Sequence, residues 1–166
     1  MVKTVKNKQK NKYNVGNGDK NIEKRSYSGI IFASEMERNY YVNVLLPLKE
    51  SGEILNIIIQ PSYLLQPKFS KYGKNYQDIK YVSDFEVEYK NHDIVTVEIK
   101  GLPSETAKLK RKFWDYVYPN RTLVWISFSA KYGGWLDYDE LQKLRLKNKR
   151  DKKNNESQDV QENNCN

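Results

Sequence analysis

The chain has 166 residues but only one cysteine, one histidine, two methionines and five prolines. The lone Cys165 cannot build a disulfide framework. One cysteine and one histidine also exclude a zinc site of the usual Cys/His kind, so any metal must be held by oxygen ligands. Long hydrophobic runs are missing too. Val42–Leu48 and Leu55–Ile59 fall far short of the roughly 20 apolar residues that span a bilayer. Met1–Lys10 is basic with no apolar core after it, which argues against a secretory signal. No internal repeat is visible.

What the chain has in excess is positive charge. Lys and Arg number 29 against 21 Asp and Glu, a net of +8, as suits a protein that meets a polyanion. The charge is unevenly spread. Residues 1–26 hold eight basic and two acidic residues (+6), and residues 143–166 hold seven and four (+3). The middle has 14 basic and 15 acidic residues (−1). Residues 1–26, Lys/Asn-rich and without periodicity, read as a flexible basic arm. Residues 147–166 read as a disordered tail, preceded by a short amphipathic helix within 131–146.

Between the ends the pattern is regular. Ser34 followed by Glu37 is a capping-box signature, and Met36, Tyr40, Tyr41, Val44 and Leu45 form the apolar stripe of a helix that Pro47 should end. Ile54–Gln60 reads as a strand, and Ser62–Gln66 as a second extended piece. Tyr81–Tyr89 alternates, with Tyr81, Ser83, Phe85, Val87 and Tyr89 on one face and Val82, Asp84, Glu86 and Glu88 on the other. Asn91–Asp93 is a turn signal, and Ile94–Lys100 alternates again, making a β-hairpin. Ser104 can cap a helix running to about Tyr118, and Leu123–Phe128 is a last, buried strand. This order of helix, strands, helix, strand describes an α/β domain over about 27–130.

The hairpin carries the chemistry. A turn centred near Asn91 pairs residues equidistant from it, so Asp84 falls opposite Glu98, and period two puts Lys100 on the face of Glu98. Carboxylates placed face to face destabilise a sheet by roughly 0.2–1 kcal/mol. A divalent cation between them would reverse that sign, and Mg²⁺ binds through one or two carboxylates together with water and substrate phosphate. A lysine beside them can hold the attacking water or stabilise charge on the phosphate. Charged residues on a solvated strand face are the plainer alternative.

Tyr81-Val82-Ser83-Asp84-Phe85, Val97-Glu98-Ile99-Lys100-Gly101, and Lys108-Leu109-Lys110-Arg111-Lys112 followed by Tyr116-Val117-Tyr118-Pro119 resemble a phage-borne group, DUF1064, of the PD-(D/E)xK nuclease superfamily. That group is associated with endonucleases and Holliday-junction resolvases. Phe32-Ala33-Ser34 with Glu37 and Tyr41 is similar to its first helix, and Gln60-Pro61 to its first strand. Ser83 stands where the superfamily has proline. The resemblance covers about residues 27–128. It implies a restriction-endonuclease-like core, a mixed sheet in the order α-β-β-β-α-β flanked by helices. Asp84, Glu98 and the Ile99 backbone carbonyl would be metal ligands, Lys100 the catalytic lysine, and Glu37 a further member of the acidic cluster. A glutamate that only caps its helix, or Glu35 in its place, are the alternatives for Glu37.

The resemblance further implies Mg²⁺, with Mn²⁺ able to substitute, and no organic cofactor. The partner would be DNA, branched or junction DNA in the first place. A homodimer, no membrane and a cytoplasmic location, in the host cell for a phage protein, complete the expectation. Lys108, Lys110, Arg111 and Lys112 crowd one helix; they and Lys80 would grip phosphates, or form a solvated face. Gln60 would support the site or merely end its strand, and His92 is a turn residue. Cutting of linear or nicked DNA, and nucleic-acid binding without catalysis, are the competing functions.

Overall fold

The computed structural model describes residues 19–163, with side chains from 21 to 152. The first 18 residues of the basic arm, and Cys165, lie outside them. The chain divides into two compact units, 1–54 and 55–166.

In the first unit, Asp19–Lys24 forms a short helix, α1, where a flexible arm was expected. The chain after it is fastened: Arg25 donates to the Phe32 carbonyl at 2.6 Å, and the Ser26 hydroxyl bonds the Ile22 carbonyl. Strands β1 (Ser26–Tyr27) and β2 (Ile30–Ile31) pair antiparallel. Ser34 caps α2 (Glu35–Tyr40) as expected, accepting from the Glu37 N–H at 3.1 Å.

Pro47 does not end that helix. The chain continues through a π turn, Tyr41–Leu45, into α3 (Leu46–Glu50). A proline inside an α-helix lacks a donor and strikes the carbonyl one turn back. Here the Leu46 N–H reaches back five residues to the Tyr41 carbonyl, and Pro47 falls in the first turn of α3, where no donor is needed. Helix α3 closes on Gly52 at φ 78°, with the Glu53 N–H on the Leu48 carbonyl at 2.9 Å.

Strand β3 (Ile54–Ile59) begins at the boundary. The second unit is built on a five-stranded mixed sheet in the order β11-β10-β9-β8-β3. Here β8 is Phe85–Tyr89, β9 Ile94–Ile99, β10 Thr122–Ser129 and β11 Gly134–Asp137. β8 and β9 are antiparallel, β9 and β10 parallel, β10 and β11 antiparallel. Helix α4 (Glu105–Val117), capped by Ser104, joins the parallel pair. Strands β4 (Ser62–Gln66) and β7 (Ile79–Val82) form a two-stranded sheet, and β5 (Phe69–Lys71) and β6 (Lys74–Tyr76) a hairpin. Trp114 of α4 is wholly buried against Leu65, Tyr81, Tyr63, Ile79, Tyr118 and Leu123.

Four expectations change here. The run Tyr81–Tyr89 is two strands, broken at Ser83–Asp84. Its partner run breaks at the same level, where Gln60 takes φ 53°. Two bonds, Gln60 N–H to the Asp84 carbonyl (2.9 Å) and Ser83 N–H to the Pro61 carbonyl (3.2 Å), tie the two bends together. The β5–β6 hairpin was not anticipated, because nothing in it is buried to create a pattern. Leu136 is in β11, so the last helix, α5 (Tyr138–Asn163), starts later than expected. It also runs through the stretch expected to be disordered. Asp137 caps it, accepting from the Asp139 and Glu140 N–H groups at 2.8 and 3.1 Å. Among the described residues no helix is long and apolar enough to cross a membrane.

Candidate metal centre

The hairpin register is the expected one. Phe85 pairs with Val97, Glu86 with Thr96, Val87 with Val95 and Glu88 with Ile94. One step further, Asp84 stands at the entrance of β8, level with Glu98 at the end of β9. Alternation buries Phe85, Val87 and Val97 on the other face. The turn brings His92 to φ 65°, exposed, with its Nδ1 3.1 Å from Glu88, a turn residue as expected.

Asp84 is fixed by the backbone on both sides. Its Oδ2 accepts from the Ile99 N–H at 2.6 Å, and its own carbonyl accepts from Gln60. Gln60 thus supports the site through its main chain. Glu98 is 93% buried by its 7% exposure, so it is not part of a solvated strand face. Lys100 Nζ bonds the Glu98 Oε1. Lys100 lies just past β9, yet its backbone is held at both ends by β10. Its N–H donates to the Ile126 carbonyl at 2.7 Å, and its carbonyl accepts from the Ser127 hydroxyl.

Two aromatic residues complete the surroundings, and the sequence reading had missed both. Trp125, the β10 partner of Glu98, has Lys100 Nζ 5.8 Å from its ring centre and donates to the Tyr81 hydroxyl at 2.9 Å. The Tyr81 phenol is pushed far up by burial, then by the negative charge of Glu98, and less by that of Asp84. The phenol therefore stays protonated. Strict alternation had put Tyr81 on the opposite face from Asp84; the break at Ser83–Asp84 undoes that parity.

The basic residues divide. Arg111 stacks 4.6 Å over Trp125 and makes a two-pronged bond to Asp139 (2.6 and 3.2 Å). Burial lowers its pKa, but the Asp139 pair outweighs this and the guanidinium ends up raised. Arg111 therefore ties α4 to α5. Lys110 donates to the Lys80 carbonyl at 2.7 Å, tying α4 to β7, and Lys80 pairs with Asp78 at 3.0 Å. Lys108 pairs with Glu105 at 2.7 Å; it and Lys112 are exposed, which leaves these two as the open cations of α4.

Glu37 belongs to the first unit. Its Oε1 accepts from the Ser34 hydroxyl at 2.8 Å and its Oε2 from the Ala33 N–H at 3.0 Å. This is the capping role. Among the described residues no group of three or more His, Cys, Asp or Glu side chains is arranged to hold a metal. Asp84 and Glu98 are hard oxygen donors, the set that suits Mg²⁺ or Mn²⁺ when a backbone carbonyl, waters and a phosphate fill the remaining positions. The donor chemistry fits such a cation.

Further along the same face Tyr63 bonds Glu86, with the Thr96 hydroxyl at 3.3 Å and Arg121 3.3 Å from Glu86. Burial, then the bond to Glu86, pushes the Tyr63 phenol from 10.0 up to about 12. The folded protein then keeps a proton that the unfolded chain loses, so stability is full below pH 10 and declines as pH rises towards about 12. The melting temperature is expected to fall across that window. Tyr63→Phe should shrink the fall without removing it, because Tyr81 and Tyr89 are raised by burial too. Identical curves for the two proteins would contradict the assignment.

One family model, DUF1064, described as a protein of unknown function, matches residues 17–134. No curated protein and no solved structure matches the chain.

Proposed function

The chain belongs to the DUF1064 family, and from its site we propose that it hydrolyses phosphodiester bonds of DNA with the help of a divalent cation, as a nuclease of the PD-(D/E)xK type. One observation carries the reading. Asp84 and Glu98 stand level at adjoining strand ends, and Lys100, just past the strand of Glu98, is bonded to Glu98. Burying a carboxylate such as Glu98 is costly unless it is paired, so a merely solvated acidic face does not account for it. The family's resemblance to nucleases adds the substrate class.

Asp84, Glu98 and the Ile99 carbonyl would hold the cation, which when bound supplies an acidified water and neutralises charge on the phosphate. Lys100 orients the attacking water and stabilises the negative charge that develops on phosphorus-bound oxygen. The water oxygen forms the new bond to phosphorus and gives up a proton to solvent, the bond to the leaving oxygen breaks, and that oxygen takes up a proton from solvent. Tyr81 holds its proton and anchors Trp125, the strand partner of Glu98. Lys108 and Lys112, together with the basic ends of the chain, bind phosphates.

Within this class we favour branched DNA, with two chains acting as a homodimer so that both strands of a junction are cut, in the cytoplasm of a phage-infected cell. The test is incubation of the protein with a labelled four-way junction and a linear duplex of the same sequence, with Mg²⁺ and with EDTA. Metal-dependent cutting confined to the junction is expected. Equal cutting of both substrates would replace branch selectivity with general DNA processing, and tight binding without cutting would overturn the catalytic reading.

A further inference from the structure

The hairpin β5–β6 projects side chains that the fold itself does not use. Phe69, Ser70, Lys71, Lys74, Asn75 and Tyr76 are all exposed. Its register pairs Phe69 with Tyr76, Ser70 with Asn75, and Lys71 with Lys74. Period two then sorts the ribbon into two faces. One face carries Ser70 bonded to Asn75. The other carries Phe69 and Tyr76 stacked nearly flat, ring centres 4.6 Å apart and planes 5° apart, with Lys71 and Lys74 directly beyond them.

Three features of this face are unfavourable for an isolated hairpin. Lys71 and Lys74 are like charges directly opposite each other, which destabilises a sheet. Tyr72, at the tip, sits at φ 52° before Gly73 at φ 74°. A two-residue turn with both angles positive prefers Asn or Asp at its first position, and a bulky residue there is strained. Finally, Tyr72 is 96% exposed, so packing does not explain the ring. Lys71 Nζ lies 5.3 Å from its centre and Lys74 Nζ 5.2 Å from that of Tyr76. From Pro67 to Gln77 there are three lysines and no acid.

We propose that this hairpin is a nucleic-acid contact that stacks unpaired bases on Tyr72 and on the Phe69–Tyr76 pair while Lys68, Lys71 and Lys74 hold the flanking phosphates. The chemistry is complementary on each count. A phosphate between Lys71 and Lys74 turns their repulsion into attraction. Aromatic rings bearing nearby cations are the usual platform for unpaired bases, which stack without regard to sequence. A two-stranded ribbon is also narrow enough to follow a DNA groove. The proposal rests on the nuclease reading for its partner class and deepens it, because a branch with single-stranded arms offers unpaired bases that a linear duplex does not.

Tyr72→Asn tests it without harming the turn, since asparagine suits the positive φ better than tyrosine does. Binding is measured in EDTA, so that cleavage does not enter, using a forked duplex with unpaired arms and a linear duplex of the same sequence. Tyr72→Asn is expected to weaken binding to the fork by about tenfold and to the linear duplex by much less, with an unchanged or higher melting temperature. Lys71→Ala with Lys74→Ala should weaken both and lower the salt dependence by about two phosphate contacts. Fork affinity within twofold of the unaltered protein for Tyr72→Asn would overturn the proposal. So would hairpin-dependent capture by vesicles of anionic phospholipid with no effect on DNA. Metal-dependent cutting that survives with hairpin-indifferent binding removes this proposal alone. Hairpin-dependent fork binding with no cutting under any metal removes the nuclease reading alone.

Discussion

Asp84→Asn is expected to lower the rate of metal-dependent DNA cleavage by at least about 10²-fold, with DNA affinity held within about threefold of the unaltered protein. The size follows from the charge. A cation contributes several kcal/mol to the stabilisation of a phosphoryl transition state, and about 1.4 kcal/mol is a factor of ten in rate. The variant removes one of the two carboxylates that would hold the cation. Asparagine keeps an oxygen in the position of Oδ2, so the bond from the Ile99 N–H, which fastens β8 to β9, can persist. The Gln60 bond to the main chain is untouched. A loss of activity without a loss of thermal stability therefore reports on charge and not on folding. Lys100→Ala should be as inactive but less stable, because it strips Glu98 of a bonded partner in a buried place. Quantitative cleavage assays and melting curves on both variants decide the matter. Near-full activity in Asp84→Asn would end the assignment of this site.

The second large effect is on stability. Trp114→Ala is expected to destabilise the protein by about 3–5 kcal/mol, a large part of the roughly 5–15 kcal/mol that domains possess. Trp114 is 0% exposed. Its ring meets Tyr63 edge-on at 4.5 Å, Tyr118 at 4.8 Å and Tyr81 at 5.4 Å, so alanine would leave a cavity where α4 joins β4 and β7. The buried indole N–H has no acceptor among the described residues. Trp114→Phe keeps much of the ring and removes that donor, so it should lose far less than Trp114→Ala. Urea unfolding of the two variants provides the comparison. A loss below about 1 kcal/mol for the alanine variant, at the low end for ordinary substitutions, would mean that this cluster is not a core.

Asp84 facing Glu98 was legible because two alternating runs about a short turn leave little choice of register. The cap at Ser104, the last strand at Leu123–Phe128 and the capping box at Ser34 and Glu37 were legible for similarly local reasons. Tyr81 was placed on the wrong face because a sheet can break where both strands break together, and a single run does not reveal its partner's bend at Gln60. Pro47 misled because a π turn shifts the hydrogen-bond ladder without any residue that announces it. The extension of helix α5 past Leu146 escaped notice because that stretch is almost wholly polar, which leaves no periodicity to read. Arg111 looked like one of four equal cations until Trp125 and Asp139, distant in sequence, were seen to hold it.

The two anchors of Lys100 have a consequence for how the protein is made. Asp84 and Glu98 meet across a local hairpin, of a kind that closes in microseconds. Lys100 is held in place by Ile126 and Ser127, which leave the ribosome only after α4. Non-local pairings of this kind form late. On an emerging chain the segments that bring the two acids together are therefore available before the anchors of the lysine are. Full assembly of the site waits for the parallel strand β10, and so for the crossover helix α4 that precedes it.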